Sequence, residues 1–109
     1  MTGLINNAGI TRVNMIWDMT EDEWDTVIST NLKGTWACIK AAAPHLIEQR
    51  SGRIINFSST AGRSVSTLGG PHYTSAKAAV LGFTRAVAKE VALCIARSRK
   101  LMELKLSVV

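Results

Sequence analysis

The fold is decided by residues 53–58, Arg-Ile-Ile-Asn-Phe-Ser, a short and mostly apolar stretch that follows Ser51-Gly52. An apolar run of this length between turn residues is typical of a strand buried in a parallel sheet. Residues 59–70 contain three glycines with several serines and threonines, and this composition predicts a loop.

Amphipathic patterns flank this strand on both sides. Upstream, Thr20 precedes three acidic residues, with Glu23 at the capping-box position, which predicts a helix start. Helical spacing continues to about Gln49, and Pro44 predicts a bend. Downstream, Pro71 suits the first turn of a second long helix. The apolar positions of that helix recur every three or four residues: Ala76, Val80, Phe83, Val87 and Val91.

A first strand is indicated at the N-terminus, where Leu4-Ile5 runs into Asn6-Asn7-Ala8-Gly9. The order strand, helix, strand, helix predicts an α/β protein with a parallel sheet. Two strands are too few for a stable open sheet, so the sequence predicts the central part of a larger doubly wound domain. We assign residues 1–91 to that core and residues 92–109 to a divergent basic tail, in which no strand signal is evident.

Composition narrows the class of protein. The net charge of +5 suggests nucleic-acid binding, but residues 1–91 hold nine basic against seven acidic residues. The remaining excess lies in the tail, which we interpret as a solvated surface. Cys38 and Cys94 lie far apart without nearby metal-ligand types, so we expect reduced thiols that contribute to packing and no metal site. No signal peptide or membrane-spanning run is evident, which favours a cytoplasmic protein.

The tryptophans and histidines have simpler interpretations. We expect the three tryptophans to pack in the core or between helices, at positions Trp17, Trp24 and Trp36. His45 and His72 are expected to be solvent-exposed, although a histidine beside Tyr73 could also tune that residue.

The chemistry-bearing residues are Tyr73 and Lys77, four apart near the start of the last helix and therefore on one helix face. The ordinary pKa of a tyrosine is about 10, and a nearby lysine cation favours the phenolate and lowers it. Such a pair can exchange a proton with a carbonyl or hydroxyl oxygen. Ser59 follows the central strand at the carboxyl end, where it can hydrogen-bond the same oxygen.

Taken together, these motifs resemble the short-chain dehydrogenase/reductase family over residues 4–91. The matching stretches are LINNAGITR, EDEWDTVISTNLKGTW, SGRIINFSSTAG and YTSAKAAVLGFTRAVAKE. Within the family, the sequence looks closest to 3-oxoacyl-[acyl-carrier-protein] reductases and acetoacetyl-CoA reductases. The resemblance implies a Rossmann-type fold and hydride transfer between NADP or NAD and a carbonyl or alcohol, with NADP slightly favoured and a 3-oxoacyl thioester as the expected substrate.

The resemblance also implies residue roles. Tyr73 would be the acid/base, Lys77 would lower its pKa and bind the nicotinamide ribose, and Ser59 would orient the substrate carbonyl. Ser59 matches the S-x-x-G motif better than Ser58 does. Asn31 would hold a water of a proton relay, or satisfy backbone groups in a helix kink. Three consecutive residues, Asn7, Ala8 and Gly9, would line the cofactor near its adenosine-side ribose, or simply form a tight turn.

Parts of the family pattern are missing from this sequence. The glycine-rich T-G-x-x-x-G-x-G motif does not occur, and the C-terminal strand, the P-G motif and the substrate lid are expected to be absent. The longer parent enzyme would be a homotetramer or homodimer, as implied by the family, and would act in fatty acid biosynthesis. The alternative is a catalytically incomplete fragment that acts as an interaction or oligomerisation module, with no nucleic-acid or membrane partner.

Overall fold

The computed structural model describes residues 3–63, 69–98 and 103–108. Along these residues, two α-helices lie between each strand and the next, giving three strands and four α-helices. Their bounds are β1 (Gly3–Asn6), α1 (Glu21–Ile28), α2 (Gly34–Gln49), β2 (Ser51–Asn56), α3 (Thr60–Arg63), α4 (Gly70–Ser98) and β3 (Glu103–Val108), with a π-helical turn (Ser29–Lys33) between α1 and α2.

The strands form a parallel sheet in the order β1-β2-β3, which confirms the predicted α/β, Rossmann-type class. One register row runs through Leu4, Ile54 and Leu106 and faces the helices. Ile54 forms the core with residues of α2 and α4, namely Ile39, Leu46 and Val91. The predicted inner face of α4 is confirmed, because Ala76, Val80 and Val91 are buried while Phe83 and Val87 pack against the core.

The absence of a C-terminal strand was a wrong prediction. Helix α4 continues through the first residues of the predicted tail, and β3 then pairs with β2 in parallel over its whole length. Residues 103–108, Glu-Leu-Lys-Leu-Ser-Val, alternate apolar and polar residues, which is the pattern of a half-buried strand. Leu106 packs against the core while Ser107 is exposed, so this alternation was the sequence signal of the strand.

The predicted helix start at Thr20 is confirmed. The Thr20 hydroxyl oxygen accepts the Glu23 backbone N–H at 3.1 Å, and the hydroxyl lies 3.2 Å from the Glu23 carboxylate. The helix then runs from α1 to α2 through the π-helical turn, and α2 continues through Pro44 to Gln49. The irregularity in this long helix therefore includes Ser29–Lys33, where Asn31 lies.

Several side-chain expectations were wrong. Trp17 is 77% exposed, and Trp24 and Trp36 are exposed by about two-fifths. The Lys40 ammonium lies over the Trp36 ring, 5.1 Å from the ring centroid. Cys38 is a free and exposed thiol, so it has no packing role.

Within the predicted loop, Thr60–Arg63 is helical and Gly70 begins α4; residues 64–68 of that loop lie outside the described residues. Across the described ranges, no helix is both long and apolar enough to cross a bilayer. No group of three His, Cys, Asp or Glu side chains in those ranges is placed to hold a metal ion.

Candidate active site

The site begins at the carboxyl ends of β1 and β2, which a buried polar network joins to α4. The Asn6 amide donates to Asn56 Oδ1 at 2.8 Å, and the Asn56 amide donates to the Thr84 hydroxyl at 2.9 Å. Thr84 in turn donates to the Val80 carbonyl at 2.7 Å. Asn56 and Thr84 are buried, so the Asn56–Thr84 and Thr84–Val80 bonds strengthen in a water-poor interior. These hydrogen bonds hold the carboxyl ends of both strands next to α4.

Asn31 and Lys77 meet at Gly9 in the turn that follows β1. A Cβ atom at Gly9 would lie 2.8 Å from Asn31 Oδ1 and 3.4 Å from Lys77 Nζ. Only a residue without a side chain leaves both polar atoms in place at this point. The predicted site residues Gly9, Asn31 and Lys77 are therefore brought together, although 22 and 46 positions separate them in sequence.

Asn31 is fixed by the backbone around it. Its side-chain amide donates to the carbonyls of Ile10 and Val27, each at 2.7 Å. Asn31 is 1% exposed, and its Oδ1 has no hydrogen-bond partner. Because the amide NH₂ is fully used by the backbone, the oxygen is the atom left to accept a proton donor near Lys77. Both interpretations from the sequence therefore fit: Asn31 satisfies the irregular helix and also presents a free acceptor.

Lys77 is 5% exposed and lies one helical turn after Tyr73. Its Nζ donates to the Phe57 carbonyl at 3.0 Å and lies 5.8 Å from the centroid of the Tyr73 ring. Burial disfavours the charged ammonium and so lowers the pKa of Lys77 from its ordinary value of 10.5. Tyr73 itself is half-buried.

The two serines after β2 have different contacts. The Ser58 hydroxyl is buried and donates to the Lys77 carbonyl at 2.8 Å. The half-buried Ser59 hydroxyl oxygen accepts the Ala61 backbone N–H at 2.9 Å, which leaves its own hydrogen free to donate. Ser58 thus ties β2 to α4, while Ser59 is the serine whose hydroxyl hydrogen is free to donate.

Asn7 and Ala8 are exposed, and neither contacts the Asn31–Lys77 pair through a hydrogen bond given by the structure. Asn56 and Thr84 were not predicted from the sequence, although an asparagine inside an otherwise apolar strand is a recognisable signal. The predicted exposure of His72 was wrong, because this residue is completely buried. His45 is exposed, as predicted.

Gly62 determines how closely α3 approaches α4. A Cβ atom at Gly62 would lie 2.6 Å from Ser58 Oγ and 2.7 Å from the Lys77 carbonyl oxygen, which is backbone and cannot rotate away. We expect Gly62→Ala to lower the free energy of unfolding in urea by about 1–3 kcal/mol. Gly82→Ala on α4 is the matched control, since its nearest neighbour is the end of Arg85 at 3.8 Å. This control should stabilise the helix by about 0.5–1 kcal/mol. Equal stability of Gly62→Ala and the wild type would contradict the close contact.

A parallel sheet with helices between its strands, and with polar residues gathered at its carboxyl ends, defines a Rossmann-type α/β protein. The family model described as "short chain dehydrogenase" matches residues 1–95. The chain therefore belongs to the short chain dehydrogenase family.

Similar proteins support this assignment. The chain is 52% identical over 89 residues to the 3-oxoacyl-[acyl-carrier-protein] reductase FabG of Staphylococcus aureus (strain Mu50 / ATCC 700699), covering 82% of this chain and 36% of that protein. It is 47% identical to the 3-oxoacyl-[acyl-carrier-protein] reductase of Synechocystis sp. over the same shares of each chain. The chain thus spans about a third of the length of these curated relatives.

A similar solved structure is a 3-oxoacyl-[acyl-carrier protein] reductase with bound NAD from Brucella melitensis. The two superpose with a TM-score of 0.81 at 38% sequence identity, covering 84% of this chain and 37% of that one. The parallel sheet and its helices therefore correspond to a segment of that longer protein.

Proposed function

We propose that this chain carries the proton-transfer residues of an NAD(P)-dependent carbonyl reductase. The observation that carries the proposal is the meeting of Asn31 Oδ1 and Lys77 Nζ at Gly9, one helical turn from Tyr73. Burying an amine and an unpaired acceptor destabilises the folded state, and such groups are concentrated at functional sites. Their location at the carboxyl ends of parallel strands is where ligands of open α/β sheets bind.

The residues present fit the nicotinamide end of a dinucleotide. Gly9 leaves space that any other side chain would fill, and Asn31 offers an unpaired acceptor beside it. Lys77 has N–H groups beyond the one given to Phe57, and these would hold ribose hydroxyls. Asn7 and Ala8 are exposed in the same turn and would line the adenosine-side ribose. When bound, the nicotinamide supplies the hydride.

Proton transfer would be the task of Tyr73. Its phenol would donate to the carbonyl oxygen as that oxygen gains charge, and Lys77 would stabilise the resulting phenolate. The Ala61 N–H holds the Ser59 oxygen at 2.9 Å, so the Ser59 hydrogen would point to the same substrate oxygen. Asn31 Oδ1 would accept from a water that returns the proton to Lys77.

The proposed substrate is a 3-oxoacyl thioester, reduced to the 3-hydroxyacyl thioester. The support is the similarity to FabG of Staphylococcus aureus, which is named as a 3-oxoacyl-[acyl-carrier-protein] reductase. We further propose NADP(H) as the preferred cofactor and a cytoplasmic location, which the two free thiols Cys38 and Cys94 fit. The enzyme would assemble as a homodimer or homotetramer.

One observation favours a second function, an oligomerisation module. An apolar groove lies between α2 and α4, and its lining includes the exposed Trp36 together with Phe83 and Val87. Such a groove is a surface that another helix could cover. A module of this kind would not depend on the Tyr73 hydroxyl.

Titration of the chain with NADPH and with NADH, followed by nicotinamide fluorescence, tests the proposed function. We expect saturable binding, weakened about tenfold or more in Lys77→Met because the ribose loses its donor. Lys89→Met is the matched control, since Lys89 is exposed on the same helix and should leave binding unchanged. Absence of binding to either cofactor would contradict the proposal for this chain and favour the oligomerisation module.

A further inference from the structure

His72 immediately precedes Tyr73 and is completely buried. Its ring nitrogen Nδ1 accepts the backbone N–H of Tyr73 at 2.9 Å. This contact lies in the first turn of α4, where backbone N–H groups at the helix end are commonly taken by side-chain acceptors. The residue that would perform the proton transfer is therefore held by its own neighbour.

The contact determines which form the imidazole takes. A neutral imidazole has one donor nitrogen and one acceptor nitrogen, so acceptance at Nδ1 places the ring hydrogen on Nε2. Nε2 is buried without a hydrogen-bond partner. An unpaired buried donor destabilises the folded state, so a histidine here has no advantage over an apolar residue except for the bond made by Nδ1.

The His72 ring is enclosed by the protein, and Gly70 lies beside it. A Cβ atom at Gly70 would lie 2.8 Å from His72 Cε1 and 3.1 Å from His72 Nδ1. Gly70 also has a φ of +80°, a conformation that other residues rarely adopt. The same turn is anchored to the β1–α1 connection, since the Thr11 hydroxyl donates to the Gly69 carbonyl at 2.7 Å. The turn that precedes the His72 acceptor is therefore held by the Thr11–Gly69 hydrogen bond and constrained in conformation at Gly70.

We propose that His72, as the Nε2-protonated neutral ring, is a positioning residue that fixes the Tyr73 backbone and so the direction of its phenol. The inference rests on the proposed function only in giving Tyr73 a catalytic task. Small displacements of a reacting group reduce the rate strongly, so an acceptor that holds the first turn of α4 supports the chemistry without touching substrate.

Two variants of similar bulk separate the role of Nδ1 from that of the ring. In His72→Asn, the side-chain Oδ1 occupies the position of Nδ1 and keeps an acceptor, whereas His72→Leu removes it. Hydrogen exchange of the Tyr73 amide in the full chain is the first measurement. We expect exchange to be about 5- to 10-fold faster in His72→Leu and close to wild type in His72→Asn. Equal exchange in all three proteins overturns the inference.

Spectroscopy and kinetics provide a second and independent readout. Tyr73 is the single tyrosine of the chain, so a ring ¹³C label reports its environment without assignment. We expect the label to shift in His72→Leu and to return in His72→Asn, with kcat lowered about tenfold in the leucine variant and KM unchanged. If the wild type has no reductase activity, the proposed function fails, while amide exchange and the label still decide the role of His72. A leucine variant that matches the wild type in all readouts overturns it.

Discussion

Replacing Tyr73 by phenylalanine should lower the rate of carbonyl reduction by about 10²- to 10⁴-fold, the range expected when a general acid is removed. The change deletes one hydroxyl from a half-buried ring and leaves the position of the ring over Lys77 unchanged. Steady-state reduction of an acetoacetyl thioester by NADPH is the measurement. Cofactor affinity should stay within about twofold of wild type, because the lost group acts on the substrate oxygen.

Two further variants test whether the loss of rate is specific to the Tyr73 hydroxyl. Ser75→Ala changes an exposed hydroxyl two residues further along the same helix and should leave the rate unchanged. Ser59→Ala removes one hydrogen-bond donor to the substrate oxygen, so its loss should be smaller than that of Tyr73→Phe. An unchanged rate in Tyr73→Phe would contradict the assigned mechanism.

The parts of the fold that sequence predicted are those encoded by local patterns. Thr20 and Glu23 form their predicted cap because the acceptor and the N–H are three residues apart. The inner face of α4 follows from apolar spacing alone. Strand β3 was missed because its neighbours in sequence are basic and divergent, although the alternation of Leu104, Leu106 and Val108 follows the period of a strand.

The site was predictable in its residue types and not in its contacts. Tyr73 and Lys77 are four residues apart on one helix, so their proximity follows from helix geometry. The meeting of Asn31 with Lys77 depends on tertiary packing around Gly9, which no local pattern encodes. Burial of His72 has the same origin, because a histidine beside an exposed proline and a half-buried tyrosine gives no periodic signal of its own.

Replacing Lys77 by methionine should separate stability from activity. Burial lowers the pKa of Lys77 from 10.5, which means that the folded protein holds the charged ammonium at a cost. Methionine removes that charge and loses the bond to the Phe57 carbonyl, worth about 1 kcal/mol. We therefore expect an unfolding free energy within about 1 kcal/mol of wild type at neutral pH, or above it, while carbonyl reduction falls at least about 100-fold.

The stability of the wild type relative to Lys77→Met should depend on pH. Below the folded-state pKa of Lys77, both folded and unfolded chains carry the proton and the full cost of burying the charge is present. Above it, the folded chain releases the proton while the unfolded chain retains it up to its ordinary pKa of 10.5, so the wild type gains stability as pH rises. In urea unfolding between about pH 7 and about pH 10, the unfolding free energy of the wild type should rise relative to that of Lys77→Met. Lys89 is exposed on the same helix, so the unfolding free energy of Lys89→Met should show no such trend relative to wild type. If the difference in unfolding free energy between wild type and Lys77→Met also does not change with pH, the Lys77 amine is solvated rather than buried beside Tyr73.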